Sequence, residues 1–266
     1  MRSLWLLLLA LGAGCQVRHD VAAAPADAER AAAAGGVSGA PAVDQVPGAG
    51  GVASVPEPGP CARSEFVLGA SVTNARDLGG VPLEQGAVAC RSLFRGPPLY
   101  ALSSTGCEQV ASLGIKTVID LRQSFERESK PTSDCVGADQ VLAPLPIPYE
   151  LSAENYLAVL NAPVVPQIFR TFAEPDAYPI YFHCTWGRDR TGVIGALLLL
   201  ALGASRDDVL AEYLLSKDSV GAYPDSLVAV LDEIEARGGA EAFLVEIGLS
   251  QDELRALRER ALAPQN

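Results

Sequence analysis

Ten consecutive residues carry the side chains of this sequence best suited to chemistry: His183, Cys184, Thr185, Trp186, Gly187, Arg188, Asp189, Arg190, Thr191 and Gly192. PIYFH at 179–183, just before, is a short β-branched and aromatic run that predicts a buried strand. A strongly apolar segment follows and predicts a helix from about residue 188. Cys184 therefore leaves a strand and enters a tight loop that opens a helix. Backbone N–H groups in such a loop turn inward and make a nest for an anion, with the positive end of the helix dipole pointing the same way. Gly187 permits the backbone geometry that closes the nest. Arg190, six residues after Cys184, returns to the rim with a planar fork suited to two oxygens of a tetrahedral dianion. A cysteine thiolate held there is an in-line nucleophile for a phosphate monoester. Thr185, Trp186, Gly187, Arg188 and Thr191 are then expected to bind substrate. Thr191 can also donate to the sulfur and ease its departure, while His183 fixes the loop and does not react. A lone Cys or Arg has an ordinary structural reading; the whole constellation at a strand–loop–helix junction does not.

These residues need a frame to hold them. KTVID at 116–120 predicts a second buried strand. Helical patterns cover roughly 103–113, 152–160, 206–216, 224–237 and 250–262, the last opened by a Ser250/Glu253 capping box. The apolar segment at 191–205 is too short to cross a bilayer and fits a helix buried in a core. Strands separated by helices predict an α/β domain with a central, largely parallel sheet flanked by helices on both faces. No internal repeat is visible.

Composition narrows the range of functions. The chain has 266 residues with 20 Lys+Arg against 32 Asp+Glu, a net charge of −12. Such a chain is repelled by the phosphates of nucleic acid and anionic lipid, so an anionic substrate requires positive charge gathered in one pocket. Apolar residues make up 49% of the chain, enough to bury a core, which excludes disorder throughout and a fibrous repeat.

The loop at 183–191 resembles the H-C-x5-R-[ST] signature of the protein tyrosine phosphatase superfamily. Three further segments sharpen the likeness: Asn74-Ala75-Arg76-Asp77-Leu78-Gly79-Gly80, Arg91-Ser92-Leu93-Phe94-Arg95, and LGIKTVIDLR at 113–122. Together they look like the bacterial tyrosine-phosphatase family that opens with N-x-R-D-L-G-G. The resemblance covers about residues 70–215. It implies a cysteine phosphatase fold with no metal or other cofactor, acting on phosphotyrosine and in some members on phosphoserine, phosphothreonine or phosphoinositides. Arg188 stands where relatives often carry Lys, a position the resemblance links to phosphoinositide acceptance. Arg76 and Asp77 are expected to form an ion pair beneath the loop, with the N-x-R-D-L-G-G block serving as scaffold.

The leaving oxygen needs a proton, so a general acid is expected. The usual position in the superfamily, some thirty residues before the cysteine, holds PIPYELSAENY at 146–156, with Glu150 and Glu154 but no Asp. In relatives of this bacterial family the acid matches Asp189 in the loop or Asp120 at the end of the DLR strand. Asp189 ranks first because the nucleophile's own loop places it, Asp120 second and Glu154 third; the other reading of Asp189 is a loop-stabilising carboxylate paired to an Arg. Trp186 could form an aromatic lip for a phosphotyrosyl ring or pack against a neighbouring loop.

The N-terminus reads as an export signal. Residues 1–14 have a basic start at Arg2 and an apolar run from Leu4 to Leu11. The small residues ending at Cys15 resemble a bacterial lipoprotein processing site, although Leu11 is one position further from the cysteine than is usual. Cys15 is then a lipidation site, and residues 15–60, rich in Ala, Gly and Pro, form a flexible tether to a catalytic domain at 61–266. The expected location is a membrane-anchored lipoprotein, periplasmic or at the cell surface, or a secreted protein. Setting aside Cys15 and Cys184 leaves Cys61, Cys90, Cys107 and Cys135, which in an oxidising compartment can form two disulfides in any of three pairings. The expected partner is a phosphorylated protein or phospholipid substrate, with the membrane reached only through Cys15 and the oligomeric state left open. Two other readings compete: a non-catalytic module that captures phosphorylated ligands, and a sulfurtransferase-type cysteine loop, which would not call for Arg190-Thr191 opening a helix.

Overall fold

The computed structural model describes Cys61 and residues 73–262. The signal segment at 1–14, the lipidation site Cys15 and the tether at 15–60 lie outside the described residues. The strands are β1 (Arg76–Asp77), β2 (Pro82–Leu83), β3 (Gly86–Ala87), β4 (Leu93–Gly96), β5 (Thr117–Asp120), β6 (Asp139–Leu142) and β7 (Ile180–His183). β2 and β3 pair with each other as a two-stranded ribbon. The rest form one sheet in the order β1-β4-β7-β5-β6, parallel except for β1, which runs antiparallel to β4. The helices are α1 (Ser104–Leu113), α2 (Ser124–Ser129), α3 (Ala153–Leu160), α4 (Val165–Ala173), α5 (Asp189–Ala201), α6 (Arg206–Leu214), α7 (Lys217–Val220), α8 (Pro224–Ala236), α9 (Ala240–Glu246) and α10 (Gln251–Leu262).

Successive strand residues point to opposite faces, and both faces here are apolar. Leu93, Ile119, Ile180 and Phe182 enter the larger core with α3, α4, α5 and α8. Phe94, Val118 and Tyr181 enter a smaller one closed by Val110 and Leu113 of α1. The sheet is therefore the expected α/β sheet covered by helices on both sides. Residues of α5 are buried nearly all round, which is how a helix without a polar face must sit. α1 begins where Ser103 accepts from the Gly106 N–H at 3.1 Å and ends at left-handed Gly114. The Ser250/Glu253 capping box forms in both directions, at 3.2 and 2.7 Å.

Several short elements leave no periodic trace in the sequence. α2 has six residues, none of them buried, and β6 is an edge strand whose DQVL is half polar and mostly exposed. α4 lies outside the expected helices although it is amphipathic and carries Ile168, Phe169 and Phe172 into the core. Of the three cysteine pairings, the fold selects Cys61–Cys90 and Cys107–Cys135, with Cα–Cα distances of 5.4 and 5.8 Å, and leaves Cys184 free.

Strand register fixes where the site falls. His183 at the end of β7 lies opposite Gly96 of β4 on one side and Asp120 of β5 on the other. Three strand ends are thus level at the carboxyl edge of the sheet, where open α/β sheets place ligands. Cys184 is the next residue, and α5 begins five residues later at Asp189.

Candidate active site

The carbonyls of the loop are held from behind. Asn74 Nδ2 donates to the Trp186 carbonyl at 3.0 Å, and Arg95 Nη2 donates to that of Gly187 at 2.9 Å. The His183 ring nitrogen Nδ1 lies 3.4 Å from the Cys184 carbonyl. In a planar trans peptide the C=O and the following N–H point opposite ways. The N–H groups of Thr185, Gly187 and Arg188 therefore turn away from these partners, toward the front of the loop. Gly187 adopts φ +65°, and a Cβ added there would fall inside the Gly96 backbone, so the position requires glycine twice over.

The groups behind the loop form one buried network. Arg76 Nη1 donates to Asn74 Oδ1 at 2.5 Å, and its Nε pairs with Glu212 Oε1 at 2.7 Å. Arg95 Nη1 pairs with the other oxygen of Glu212 at 2.6 Å. Burial pushes the Glu212 carboxyl up, but Arg95 and Arg76 outweigh it and hold it below the usual carboxylate range. Burial lowers Arg95 to about 10 despite Glu212, so it remains a cation at neutral pH. The expected Arg76–Asp77 ion pair does not form. Adjacent strand residues point to opposite faces, so Arg76 reaches Glu212 while Asp77 accepts the Gly79 and Arg91 N–H groups at 2.8 and 2.7 Å. Glu212, on the distant helix α6, belongs to no motif in the sequence.

In front of the loop lies a cleft of about 250 Å³. Its walls are Ile147, Pro148, Tyr149, Leu151 and Glu126, together with Cys184, Thr185, Trp186, Arg188, Asp189 and Arg190. The Cys184 side chain lies deep, with 1% of its surface exposed, while Trp186 is 54% and Tyr149 80% exposed. Arg190 sends Nη1 and Nη2 to the two oxygens of Glu126, both at 2.7 Å, and its buried Nε has no hydrogen-bond partner among the described residues. Thr185 Oγ1 donates to Glu126 Oε1, and Gln123 N–H donates to Oε2 at 2.9 Å. Burial raises the Glu126 carboxyl, but the hydrogen bonds from Arg190, Thr185 and Gln123 prevail and bring it to about 2. Glu126 stays ionised and fixes the guanidinium end-on, leaving the Nε edge as the donor side. Its distance of 64 positions from Arg190 leaves no local signal in the sequence.

The expected proton donors fall in different places. Asp189 lines the cleft, accepting from Arg188 Nε and Nη2 at 2.8 and 3.0 Å and from the Tyr156 hydroxyl. Asp120 is turned away from that task. It does not line the cleft; Arg122 engages both its oxygens at 2.9 and 2.7 Å, as Arg188 does those of Asp189. Burial raises its carboxyl, but the Arg122 hydrogen bonds and nearby His183 outweigh this and keep it below its ordinary value, hence unprotonated at neutral pH. Glu154 is exposed in the first turn of α3, outside the cleft. His183 is pushed down to about 4 by burial against the pull of Asp120, so its ring is neutral. Thr191 Oγ1 is buried without a hydrogen-bond partner among the described residues, so the expected bond to the sulfur is not formed. Arg188 also donates Nη1 to the Val220 carbonyl and lies 4.6 Å above the Tyr223 ring. Among the described residues no group of three or more His, Cys, Asp or Glu side chains could hold a metal ion.

A parallel α/β sheet with a free cysteine at its carboxyl edge, beneath forward-facing amides, is the build of tyrosine-phosphatase-like hydrolases. The chain belongs to the tyrosine phosphatase family, whose model matches residues 69–263. It is 52% identical over 170 residues to the triple specificity protein phosphatase PtpB of Mycobacterium tuberculosis, a match covering 48% of this chain and 62% of that one. It is 30% identical over 181 residues to a candidate tyrosine-protein phosphatase of Cupriavidus necator, covering 60% of this chain and 66% of the relative. The chain thus spans slightly less than two thirds of the length of these relatives. The crystal structure of TpbA from P. aeruginosa aligns at 18% identity and a TM-score of 0.37, over 60% of this chain and 88% of that one.

Proposed function

We propose that this protein hydrolyses phosphate monoesters, above all phosphotyrosine in proteins, through a phosphocysteine on Cys184. One observation carries the reading: the free sulfur lies at the floor of a cleft beside an arginine whose end is tied to Glu126 and whose buried Nε has no partner among the described residues. The Cys184 thiolate attacks phosphorus in line, the bond from phosphorus to the leaving oxygen breaks, and Asp189 gives that oxygen a proton. Water then attacks phosphorus, returns a proton to Asp189, and the sulfur leaves. The Gly187 and Arg188 amides and the Arg190 Nε edge hold the oxygens where charge gathers.

The depth of Cys184 favours a substrate that carries its phosphate on a long rigid arm. A tyrosyl ring reaches the floor between the apolar walls and passes the exposed rings of Trp186 and Tyr149; a seryl side chain is shorter. Arg188 is committed to Asp189 and Val220, which weighs against its gripping a second phosphate on an inositol ring. The Mycobacterium relative is named a triple specificity phosphatase, and phosphoserine, phosphothreonine and phosphoinositides, which the family resemblance raises, are the comparison substrates. The test is phosphate release from p-nitrophenyl phosphate and a phosphotyrosyl peptide by the wild type and by Cys184→Ser. Release that depends on Cys184 is expected; equal release by the variant would overturn the reading.

We also read the chain as exported and anchored through a lipid on Cys15. The Cys61–Cys90 and Cys107–Cys135 bridges support export, since disulfides persist in oxidising compartments. Fatty-acid labelling that survives Cys15→Ser would sink the anchor.

A further inference from the structure

Asp189 receives donors from two sides. Its Oδ1 accepts from the Tyr156 hydroxyl and from Arg188 Nε, its Oδ2 from Arg188 Nη2 alone. The hydroxyl chain behind it has a fixed direction. Tyr223 N–H donates to the Tyr213 hydroxyl oxygen at 3.1 Å, and the Tyr213 and Tyr156 hydroxyls are 3.0 Å apart. An amide N–H can only donate, and Asp189 Oδ1, the oxygen that carries no proton, can only accept. Each hydroxyl therefore passes its proton the same way, Tyr213 to Tyr156 and Tyr156 to Asp189. Burial, with Asp189 beside it, holds the Tyr156 phenol far above its ordinary value, so it stays protonated. Both tyrosines are buried, neither lines the cleft, and the Tyr213 ring is packed on Gly192 in the first turn of α5. With two donors on Oδ1 and one on Oδ2, the less occupied oxygen is the one with room for a proton.

We propose that Tyr156, oriented by Tyr213, is a positioning residue that fixes Asp189 so that Oδ2 carries the transferred proton. This rests on the phosphatase reading above. In the first step the S–P bond forms, the bond from phosphorus to the leaving oxygen breaks, and the Oδ2 proton moves to that oxygen. In the second, water oxygen bonds to phosphorus, the S–P bond breaks, and a proton from water returns to Oδ2. Tyr156 keeps its own proton throughout.

The experiment compares the wild type, Tyr156→Phe, Tyr213→Phe, Asp189→Asn and the Tyr156→Phe/Asp189→Asn pair on two substrates. Phenyl phosphate has a leaving group that needs protonation; the p-nitrophenolate released from p-nitrophenyl phosphate needs little help. General-acid assistance is worth about 10²–10⁴-fold, and disordering the acid should lose a fraction of that. Tyr156→Phe is expected to lower kcat/KM, which reports the first step alone, about tenfold on phenyl phosphate and less than about twofold on p-nitrophenyl phosphate. It should add nothing in the Asp189→Asn background. Tyr213→Phe, which leaves the Tyr156 ring in place, should act in the same direction by about threefold and serves if Tyr156→Phe does not fold. Equal losses of kcat/KM on both substrates, or a further loss on top of Asp189→Asn, would overturn the proposal. Turnover that needs Cys184 and Asp189 but ignores both tyrosines would overturn it alone. A wild type that turns over neither substrate would overturn the phosphatase reading and this proposal with it.

Discussion

Arg95 and Glu212 form a buried ion pair, Nη1 to Oε2 at 2.6 Å, and the same guanidinium holds the Gly187 carbonyl through Nη2 at 2.9 Å. The carboxylate on α6 thus reaches the cysteine loop through one side chain. Through Arg76 and Asn74 it reaches the neighbouring carbonyl of Trp186. Two successive peptide planes are set by a residue far from the cleft.

Glu212→Gln should therefore cost both stability and loop order. It leaves two buried arginine cations without their shared counter-charge, and breaking a buried pair typically costs about 3–5 kcal/mol. Urea unfolding should show the loss, and vanadate affinity should fall by at least about tenfold as the amides lose their aim. A variant of unchanged stability and vanadate affinity would mean that the network does not position the loop.

Glu126 gives the site a defined response to acid. Its carboxyl is depressed to about 2 in the folded protein, by Arg190, Thr185 and Gln123 working against burial. A depressed carboxylate contributes stability that is fully present above its unfolded value, about 4.3, and is lost as pH falls through the folded one. Urea midpoints should fall between about pH 4 and pH 2, and Glu126→Gln should flatten that part of the curve while being less stable at pH 7. An unaltered acid limb in the variant would show that the Arg190 pair is not what titrates.

Much of this arrangement is visible in the sequence, and the reason is locality. The loop from His183 to Thr191, the strand before it and the helix after it are contiguous, so apolar runs and one glycine mark the junction. Helices α1, α3, α6, α8 and α10 match helical patterns in the sequence, whereas α4, as long as α6 and longer than α3, is not among them. Glu212 and Glu126 do not show, since an acidic residue on a helix looks the same whether it faces water or a buried arginine 136 or 64 positions away. The same limit misdirected Arg76, which has an acidic neighbour at 77 and a better placed one on α6. It also hid which arginines hold the two aspartates, Arg122 on Asp120 and Arg188 on Asp189, and that of these two aspartates Asp189 lines the cleft.

The two disulfides close loops of nearly equal length, with sequence separations of 29 and 28. Loop-closure entropy assigns each about 3–4 kcal/mol. Cys107→Ser/Cys135→Ser should lower stability by about that amount while kcat stays within about twofold, because neither sulfur lines the cleft. Non-reducing peptide mapping of the wild type should recover Cys61 with Cys90, Cys107 with Cys135, and an alkylatable Cys184. Recovery of Cys184 in a bridge would contradict both the fold and the chemistry.

Trp186 and Tyr149 offer the most direct reading of substrate class. Both line the cleft and both keep most of their surface in solvent, 54% and 80% exposed. Large apolar side chains left open at a cleft mouth gain by covering a ligand, and ring–ring contacts add about 0.5–1.5 kcal/mol beyond area burial. Trp186→Ala leaves its own carbonyl in place for Asn74, so the loop keeps its anchor. Such a change removes binding that ground state and transition state share, which raises KM and spares kcat. Trp186→Ala and Tyr149→Ala should each raise KM for a phosphotyrosyl peptide about 3–10-fold, leave kcat within about twofold, and hardly affect a phosphoseryl peptide, whose side chain carries no ring to the mouth. If KM instead rose equally for both peptides, the rings would be reading the peptide backbone, and the preference for a tyrosyl arm would have to come from cleft depth alone.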